Sequence, residues 1–265
     1  MVEQLHQAPD LSDLAVIERE GGHLLDLSAR GWVDPAHLVA AASLAHAHSL
    51  AGLPLEVVSP QTSDQMRYAA RMHLGRVLDD LGVRHDVPTD VHERDRREDL
   101  LEVRPVRDER DAVALAELVA AKVRLESPQA ADALFACLAE MAENVADHAN
   151  AVGYVAAQTL PALSAIKFAV ADAGTGVRAG LSVRGATTDR QALEMALSGV
   201  SRLDDPSRGT GLPTTVRVLG ALQGSLYLAS GQAAVAVNET RQRNSHLSAT
   251  FPGTLVQGVL RFPPG

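Results

Sequence analysis

The sequence contains few aromatic residues, a single cysteine and no long apolar run. Aromatic residues make up 3% of the 265 positions while the hydrophobic fraction is 46%, so a core must be built mainly from Ala, Leu and Val. The single cysteine, Cys137, excludes an intramolecular disulfide and fits a reducing compartment. The lack of an apolar run of about 18 residues means that no membrane-spanning helix is predicted.

Basic residues are outnumbered by acidic ones, with 24 Lys and Arg against 33 Asp and Glu and a net charge of −9. This balance argues against a general affinity for nucleic acid or for an anionic membrane surface. The first residues also lack the basic start and apolar segment of a secretory signal. We therefore expect a cytoplasmic protein with neither a nucleic acid nor a membrane as partner.

Helix and strand patterns alternate in the first part of the chain, which predicts a small α/β domain over residues 1–95. The predicted elements are a strand at 24–27, a helix at 35–52, a strand at 53–59 and a helix at 64–82. Asp34 followed by Pro35 is a typical helix start, because the aspartate caps free N–H groups and proline lacks one. A mixed-charge stretch leads to a second predicted domain, 96–265.

The helix predicted at 128–149 carries two different faces. Ser127 followed by Pro128 begins it, and an apolar stripe at steps of three and four indicates packing on a core. On another face, Glu140, Asn144 and His148 are spaced by four, so their side chains project from consecutive turns. Such a polar line is typical either of a solvated surface or of a helix that faces a ligand.

Three further segments supply possible walls for a ligand site. A buried strand pattern at 165–172 ends on Asp172 and is followed by Gly174 and Gly176. The segment Arg208-Gly209-Thr210-Gly211-Leu212 opens an amphipathic helix, whose first N–H groups would form a natural anion site. Finally, Gly253-Thr254 leads into a closing strand. Four such segments in this order favour the ligand interpretation of the polar helix face.

Residues 105–262 resemble the histidine-kinase-like ATPase domain, which is shared by gyrase, heat-shock chaperones, histidine kinases and mismatch-repair ATPases. The resemblance rests on Glu140-x-x-x-Asn144-x-x-x-His148, Asp172-x-Gly174-x-Gly176, Gly209-x-Gly211 and Gly253-Thr254. It implies a two-layer α/β sandwich, with helices on one face of a mixed, mostly antiparallel sheet, and it implies ATP and Mg²⁺ as cofactors.

The resemblance also implies a role for each motif. Asn144 would bind Mg²⁺, and Glu140 would orient or deprotonate an attacking water or hydroxyl. The remaining residues would bind the nucleotide: adenine by Asp172 with Thr254, base and ribose beside Gly174 and Gly176, and phosphate by His148, Arg208, Gly209, Thr210, Gly211 and Leu212. The long segment 177–207 is interpreted as a lid over the nucleotide.

The first domain resembles the sulfate-transporter and anti-sigma-antagonist type of α/β module. The similarity lies in LLDLSARGWVDPAHLVAA and in the spacing of the strands, and it implies a module that binds a protein partner. Antagonists of that family have a phosphorylatable Ser or Thr at the start of the helix that follows a central strand. Here the stretch 31–35 has no hydroxyl, and Asp34 stands as a helix cap instead.

Together these features predict an ATP- and Mg²⁺-binding regulatory protein that acts on a protein partner. It would be either a kinase for Ser or Thr residues of the partner or an ATP-driven switch. The alternatives are a non-catalytic module that binds its partner only when ATP is present, and an ATPase that dimerises and clamps; a homodimer also stays open.

Overall fold

The computed structural model of the chain describes residues 9, 11, 14–29, 32–90, 100–148, 152–201 and 211–262, without the side chains at 143 and 146–148. It is an α/β protein with two sheets. In the described ranges no helix is both long enough and apolar enough to cross a membrane.

A small mixed sheet of four strands forms the first part of the fold, in the order β1-β2-β3-β4. Its strands are β1 (Val16–Arg19), β2 (Gly22–Asp26), β3 (Leu55–Val58) and β4 (Arg84–His85). The first pair is antiparallel and the other two pairs are parallel. The helices that connect the parallel strands are α1 (Pro35–Leu50), α2 (Ser63–Arg71) and α3 (Leu74–Asp80).

Helix α1 begins as predicted at Asp34 and Pro35. The Asp34 carboxylate accepts hydrogen bonds from the N–H groups of Ala36, at 3.1 Å, and His37, at 3.3 Å. Two of the free N–H groups at the helix start are thereby satisfied.

The prediction of a single helix at 64–82 is wrong, because the chain forms two helices that meet at Met72 and His73. His73 adopts a left-handed conformation, with φ 61°. The Met72 carbonyl accepts a hydrogen bond from Val103 of the second sheet, at 2.9 Å. A contact with a distant strand therefore accompanies the break in the helix.

A five-stranded sheet forms the second part of the fold, in the order β5-β6-β7-β9-β8. Its strands are β5 (Leu100–Val106), β6 (Gly153–Leu160), β7 (Ala165–Asp172), β8 (Ser225–Asn238) and β9 (Gln242–Arg261). Every pairing among these described strands is antiparallel, whereas a mixed, mostly antiparallel sheet was expected. Short connections join β6 to β7 and β8 to β9, and such connections impose antiparallel pairing.

Both faces of this sheet are covered. One face packs on α4 (Glu109–Arg124), α5 (Pro128–His148) and α8 (Gly211–Ala221) through a core that includes Phe168 and Leu138. The expectation of helices on one face is therefore incomplete: the opposite face packs on α1, in a core shared with the small sheet. Small residues such as Ala169 and Ala171 line that face and let the helix approach closely.

Besides the hydrogen bond between Met72 and Val103, side-chain contacts join the helices of the small domain to the large sheet. Lys167 on β7 donates to the Asp34 carboxylate at 2.9 Å. His46 on α1 lies 2.9 Å from the Tyr154 hydroxyl, and the Tyr68 hydroxyl on α2 donates to Gln158 at 3.0 Å. The two parts of the fold thus share an apolar core and partly buried polar contacts.

Candidate functional site

The last residue of β7, Asp172, is a buried polar residue of the candidate site. Only 7% of it is exposed. Its carboxylate accepts a hydrogen bond from the Gly174 N–H at 2.7 Å and two more from the N–H and hydroxyl of Thr254. Burial raises the pKa of Asp172, and the hydrogen bonds from Gly174 and Thr254 oppose that rise. The structure therefore brings together Asp172, Gly174 and Thr254.

The segment that carries Thr254 approaches the end of β7 very closely. A Cβ built on Gly253 would overlap the backbone carbonyl of Asp172, so only glycine fits without a shift of the chain. Gly253 therefore allows Thr254 to reach the Asp172 carboxylate. This contact explains physically why Gly and Thr are adjacent in this motif.

Gly176, the second glycine of the Asp172 motif, is also tightly enclosed. It has φ +75°, and an added Cβ would lie 2.7 Å from the Ser230 hydroxyl. Ser230 is 3% exposed, accepts a hydrogen bond from the Val177 N–H at 3.0 Å and donates to the Gly253 carbonyl at 2.8 Å. Ser230 is not predicted from the sequence, because its partners are backbone groups that no residue pattern marks.

Helix α5 joins this region to the start of α8. Glu140 lies against Gly211, the first residue of α8: a Cβ built there would overlap the Glu140 carboxylate. A carboxylate in this position interacts favourably with the positive end of a helix. A hydrogen bond between Cys137 and Thr215 joins the same two helices, although burial raises the Cys137 pKa to about 11.

Asn144 lies on α5 between the start of α8 and the end of β7. It is half-buried and precedes Val145, whose side chain fills the space where a Cβ of Gly153 would be. Gly153 pairs directly with Asp172 across β6 and β7. Glu140, which contacts Gly211, and Val145, which contacts Gly153 beside Asp172, are about one and a half turns apart on α5. Asn144 lies between them in the helix.

Four predicted site residues lie wholly or partly outside the described residues. The backbone of His148 ends α5, but its side chain is outside the described part of the chain, as are Arg208, Gly209 and Thr210. Leu212 is half-buried and packs on the core beneath α5. Across the described ranges, no group of three or more His, Cys, Asp or Glu side chains is arranged to hold a metal ion.

The described part of the predicted lid, 177–201, is folded and attached to the β8–β9 hairpin. It contains α6 (Gly176–Leu181) and α7 (Asp189–Leu197), which enclose a small apolar core of their own. Asp189 accepts from the Gln232 N–H at 2.9 Å and forms an ion pair with Arg178 at 3.2 Å. The remainder of the predicted lid, 202–207, lies outside the described residues.

Protein-family models, curated proteins and solved structures were each compared with the chain, and none of the three comparisons found a match.

Proposed function

We propose that the chain is a cytoplasmic regulatory protein of the histidine-kinase-like ATPase class, which binds ATP and Mg²⁺ between α5, the end of β7 and the start of α8. The observation that carries the proposal is the buried Asp172–Thr254 pair. A carboxylate held by three hydrogen bonds at the end of a strand, beside two glycines, has the chemistry of a specific small-ligand contact.

The Asp172 carboxylate suits adenine better than guanine. An ionised carboxylate has about four acceptor positions, so one remains for an exocyclic amine after Gly174 and Thr254 have donated. Adenine presents an amine at its six-position, where guanine presents an oxygen. Two acceptors facing each other would leave a buried polar group unsatisfied, which costs about 1–3 kcal/mol.

The residues present also fit a hydrated Mg²⁺ ion and phosphate. Mg²⁺ takes oxygen ligands and usually binds through one or two protein groups plus phosphate oxygens, so a cluster of acidic and histidine side chains is not required. Asn144 offers an amide oxygen, and the bound ion would supply charge neutralisation at the phosphates. The eleven-residue helix α8 offers N–H groups at its start.

Glu140 supports an active role for the site. It is one helical turn from Asn144 and lies at the start of α8, where a carboxylate could orient or deprotonate a water or a partner hydroxyl. We therefore prefer a kinase for Ser or Thr or an ATP-driven switch to a binding-only module. The small domain would bind the protein partner, through surface other than α1, since α1 is buried between the two sheets.

Calorimetry with ATP and GTP in the presence of Mg²⁺ tests the proposal. We expect the wild type to bind ATP more tightly than GTP. Asp172→Asn should weaken ATP binding by about tenfold, because the amide can turn a donor toward the adenine amine.

A matched control for this substitution exists in the small sheet. Asp26 also ends a strand and accepts from a backbone N–H two residues later, at 2.8 Å from Ser28. Asp26→Asn should leave ATP binding unchanged. Equal ATP affinity in the wild type and Asp172→Asn, or no ATP binding by the wild type, would contradict the proposed function.

A further inference from the structure

We propose that Ser230 is a positioning residue of the nucleotide site, which fixes the Asp172–Thr254 pair and thereby sets the preference for adenine. The inference rests on the proposed function, because it assigns Ser230 to the same site. Ser230 would not contact the nucleotide directly. It is buried, and its two hydrogen bonds both go to backbone groups of the site.

The Ser230 hydroxyl connects two segments that are far apart in the chain. As acceptor it holds the Val177 N–H, which follows the Asp172-x-Gly174-x-Gly176 motif, at 3.0 Å. As donor it holds the Gly253 carbonyl, which precedes Thr254, at 2.8 Å. A single hydroxyl therefore uses both its donor and an acceptor position to join the two motifs.

These contacts complete a closed ring of hydrogen bonds. Thr254 bonds to Asp172, Gly253 bonds to Ser230, and Ser230 bonds to Val177, which the chain connects back to Asp172. A ring fixes its members more strongly than separate contacts do, since no segment can move without breaking a hydrogen bond. The position of the buried carboxylate is thereby determined from both sides.

The surroundings leave little room for the ring to change shape. A Cβ on Gly176 would approach the Ser230 hydroxyl to 2.7 Å, and the Gly253 backbone carbonyl would lie 3.3 Å from it. The register between β8 and β9 also shifts next to Ser230, where β8 passes the segment that contains Gly253. Loss of the hydroxyl would leave the Val177 N–H and the Gly253 carbonyl without this partner, so we expect both segments to move.

Movement of the two segments should change the preference for ATP over GTP, and not only the stability of the protein. A displaced Asp172 carboxylate no longer meets the adenine amine in the best geometry, and the penalty against guanine decreases at the same time. A residue that served only the stability of the sheet would weaken both nucleotides equally. The ratio of the ATP and GTP affinities therefore separates positioning from a general structural role.

The test compares Ser230→Ala with Ser43→Ala by calorimetry with ATP and GTP. Ser43 on α1 is equally buried, and its hydroxyl has no hydrogen-bond partner among the described residues, so it is a matched control. We expect Ser230→Ala to lower ATP affinity about tenfold and to lower the ATP-to-GTP ratio by a similar factor. Ser43→Ala should change neither, and Ser230→Thr should restore both.

Two further measurements keep the test decisive. If Ser230→Ala does not fold, Ser230→Cys keeps a small polar side chain whose thiol is only a weak donor and acceptor, and it should show the same loss of selectivity. Amide hydrogen exchange in the nucleotide-free protein should be at least about tenfold faster at Val177 in the Ala variant, because its N–H has lost its acceptor.

An unchanged ATP-to-GTP ratio in Ser230→Ala, with ATP binding by the wild type intact, overturns the positioning role and leaves the proposed function standing. Unchanged exchange at Val177 overturns it as well. If the wild type binds no ATP, the proposed function fails and this inference fails with it.

Discussion

At the scale of single residues, Glu140 carries the question of whether the candidate site performs chemistry. Its carboxylate lies against the first residue of α8, in the region where the proposed function requires phosphate. Two negative groups at one helix start repel each other, so the carboxylate opposes nucleotide binding. A carboxylate that opposes nucleotide binding is more useful to a catalytic site than to a site that only binds.

We therefore predict that Glu140→Ala abolishes ATP turnover or phosphoryl transfer without weakening ATP binding. Loss of a general base typically costs about 10²–10⁴ in rate. ATP affinity should be equal or higher, because a negative charge beside the phosphates has been removed. Single-turnover phosphate release and calorimetry measure the two quantities.

The control for this experiment is Glu117→Ala, on the exposed face of α4, which should change neither quantity. A Glu140→Ala protein that no longer binds ATP would show that the carboxylate has a structural role. A wild type that neither hydrolyses ATP nor phosphorylates any partner would favour the binding-only alternative.

The residues of the site differ in how well the sequence reveals them. Asp172 and Thr254 belong to motifs with glycines beside them, so a comparison of motifs predicts that they meet. Ser230 has no such signal, since a serine in an apolar strand is common and its partners are backbone groups. The contact of Glu140 with Gly211 is likewise a property of helix packing, which the spacing of residues on one helix does not specify.

At the scale of elements, the segment expected to be a lid is attached more firmly than a long connection suggests. Asp189, at the first residue of α7, accepts from the Gln232 N–H of β8 and pairs with Arg178 of α6. Asn244 of β9 also donates to Glu194 of α7 at 2.8 Å. The two helices therefore form one unit with the β8–β9 hairpin.

We predict that Asp189→Ala opens this unit locally and accelerates tryptic cleavage at Arg184 and Arg190. Removal of a carboxylate that holds both an N–H group and a guanidinium should lower the local opening free energy by about 1–2 kcal/mol, which corresponds to roughly tenfold faster cleavage. Cleavage at each arginine can be followed by mass spectrometry.

Asp132→Ala is the matched control, because Asp132 is exposed and its ion pair with Arg124 lies on the surface, where such pairs contribute little. Its cleavage pattern should equal that of the wild type. Equal protection of Arg184 and Arg190 in Asp189→Ala would mean that the small apolar core of α6 and α7 suffices to hold the unit.

Most element positions follow from local signals, and the exceptions depend on distant contacts. Caps at Asp34, Asp108 and Ser127 mark three helix starts, and each side chain accepts a backbone hydrogen bond there. The break at Met72 and His73 has no local signal, because its partner, Val103, belongs to the other sheet. A pattern within one segment cannot report such a contact.

At the scale of the whole molecule, α1 is the element that unites the two sheets. It is buried along most of its length, between the small sheet and the face of the large sheet opposite α5. Asp34 caps the start of α1, and its carboxylate pairs with Lys167 of β7 at 2.9 Å. Burial on all sides from Pro35 to Ala45 explains why this part of the sequence shows no polar stripe: no face of it meets solvent.

The protonation equilibrium of the Asp34 carboxyl is strongly shifted toward the ionised form. Burial by itself raises its pKa, but hydrogen bonds and charge interactions with His37 and Lys167 outweigh burial and hold the pKa well below its ordinary value. A carboxyl whose pKa is lowered on folding stabilises the fold at pH values above its unfolded pKa. That stabilisation is lost as the pH falls toward the folded pKa.

We predict that Asp34→Asn destabilises the protein by about 3 kcal/mol at pH 7, because the partly buried ammonium of Lys167 loses its counter-charge. The difference from the wild type should decrease below about pH 4, where the wild-type carboxyl becomes protonated first in the unfolded chain. Urea unfolding at several pH values measures both effects. Asp64→Asn removes an exposed ion pair with Arg67 and should change stability by less than about 0.5 kcal/mol.

The same unfolding curves test whether the two sheets form one cooperative unit. Because α1 contributes to a core that both sheets share, the wild type should unfold in a single transition that is the same by far-UV circular dichroism and by fluorescence of Trp32 in the small domain. Asp34→Asn weakens the contact between the domains, so its midpoint should fall for both probes together. If the Trp32 transition separated from the dichroism transition already in the wild type, the small domain would unfold independently, and the ion pair between Asp34 and Lys167 would not couple it to the five-stranded sheet.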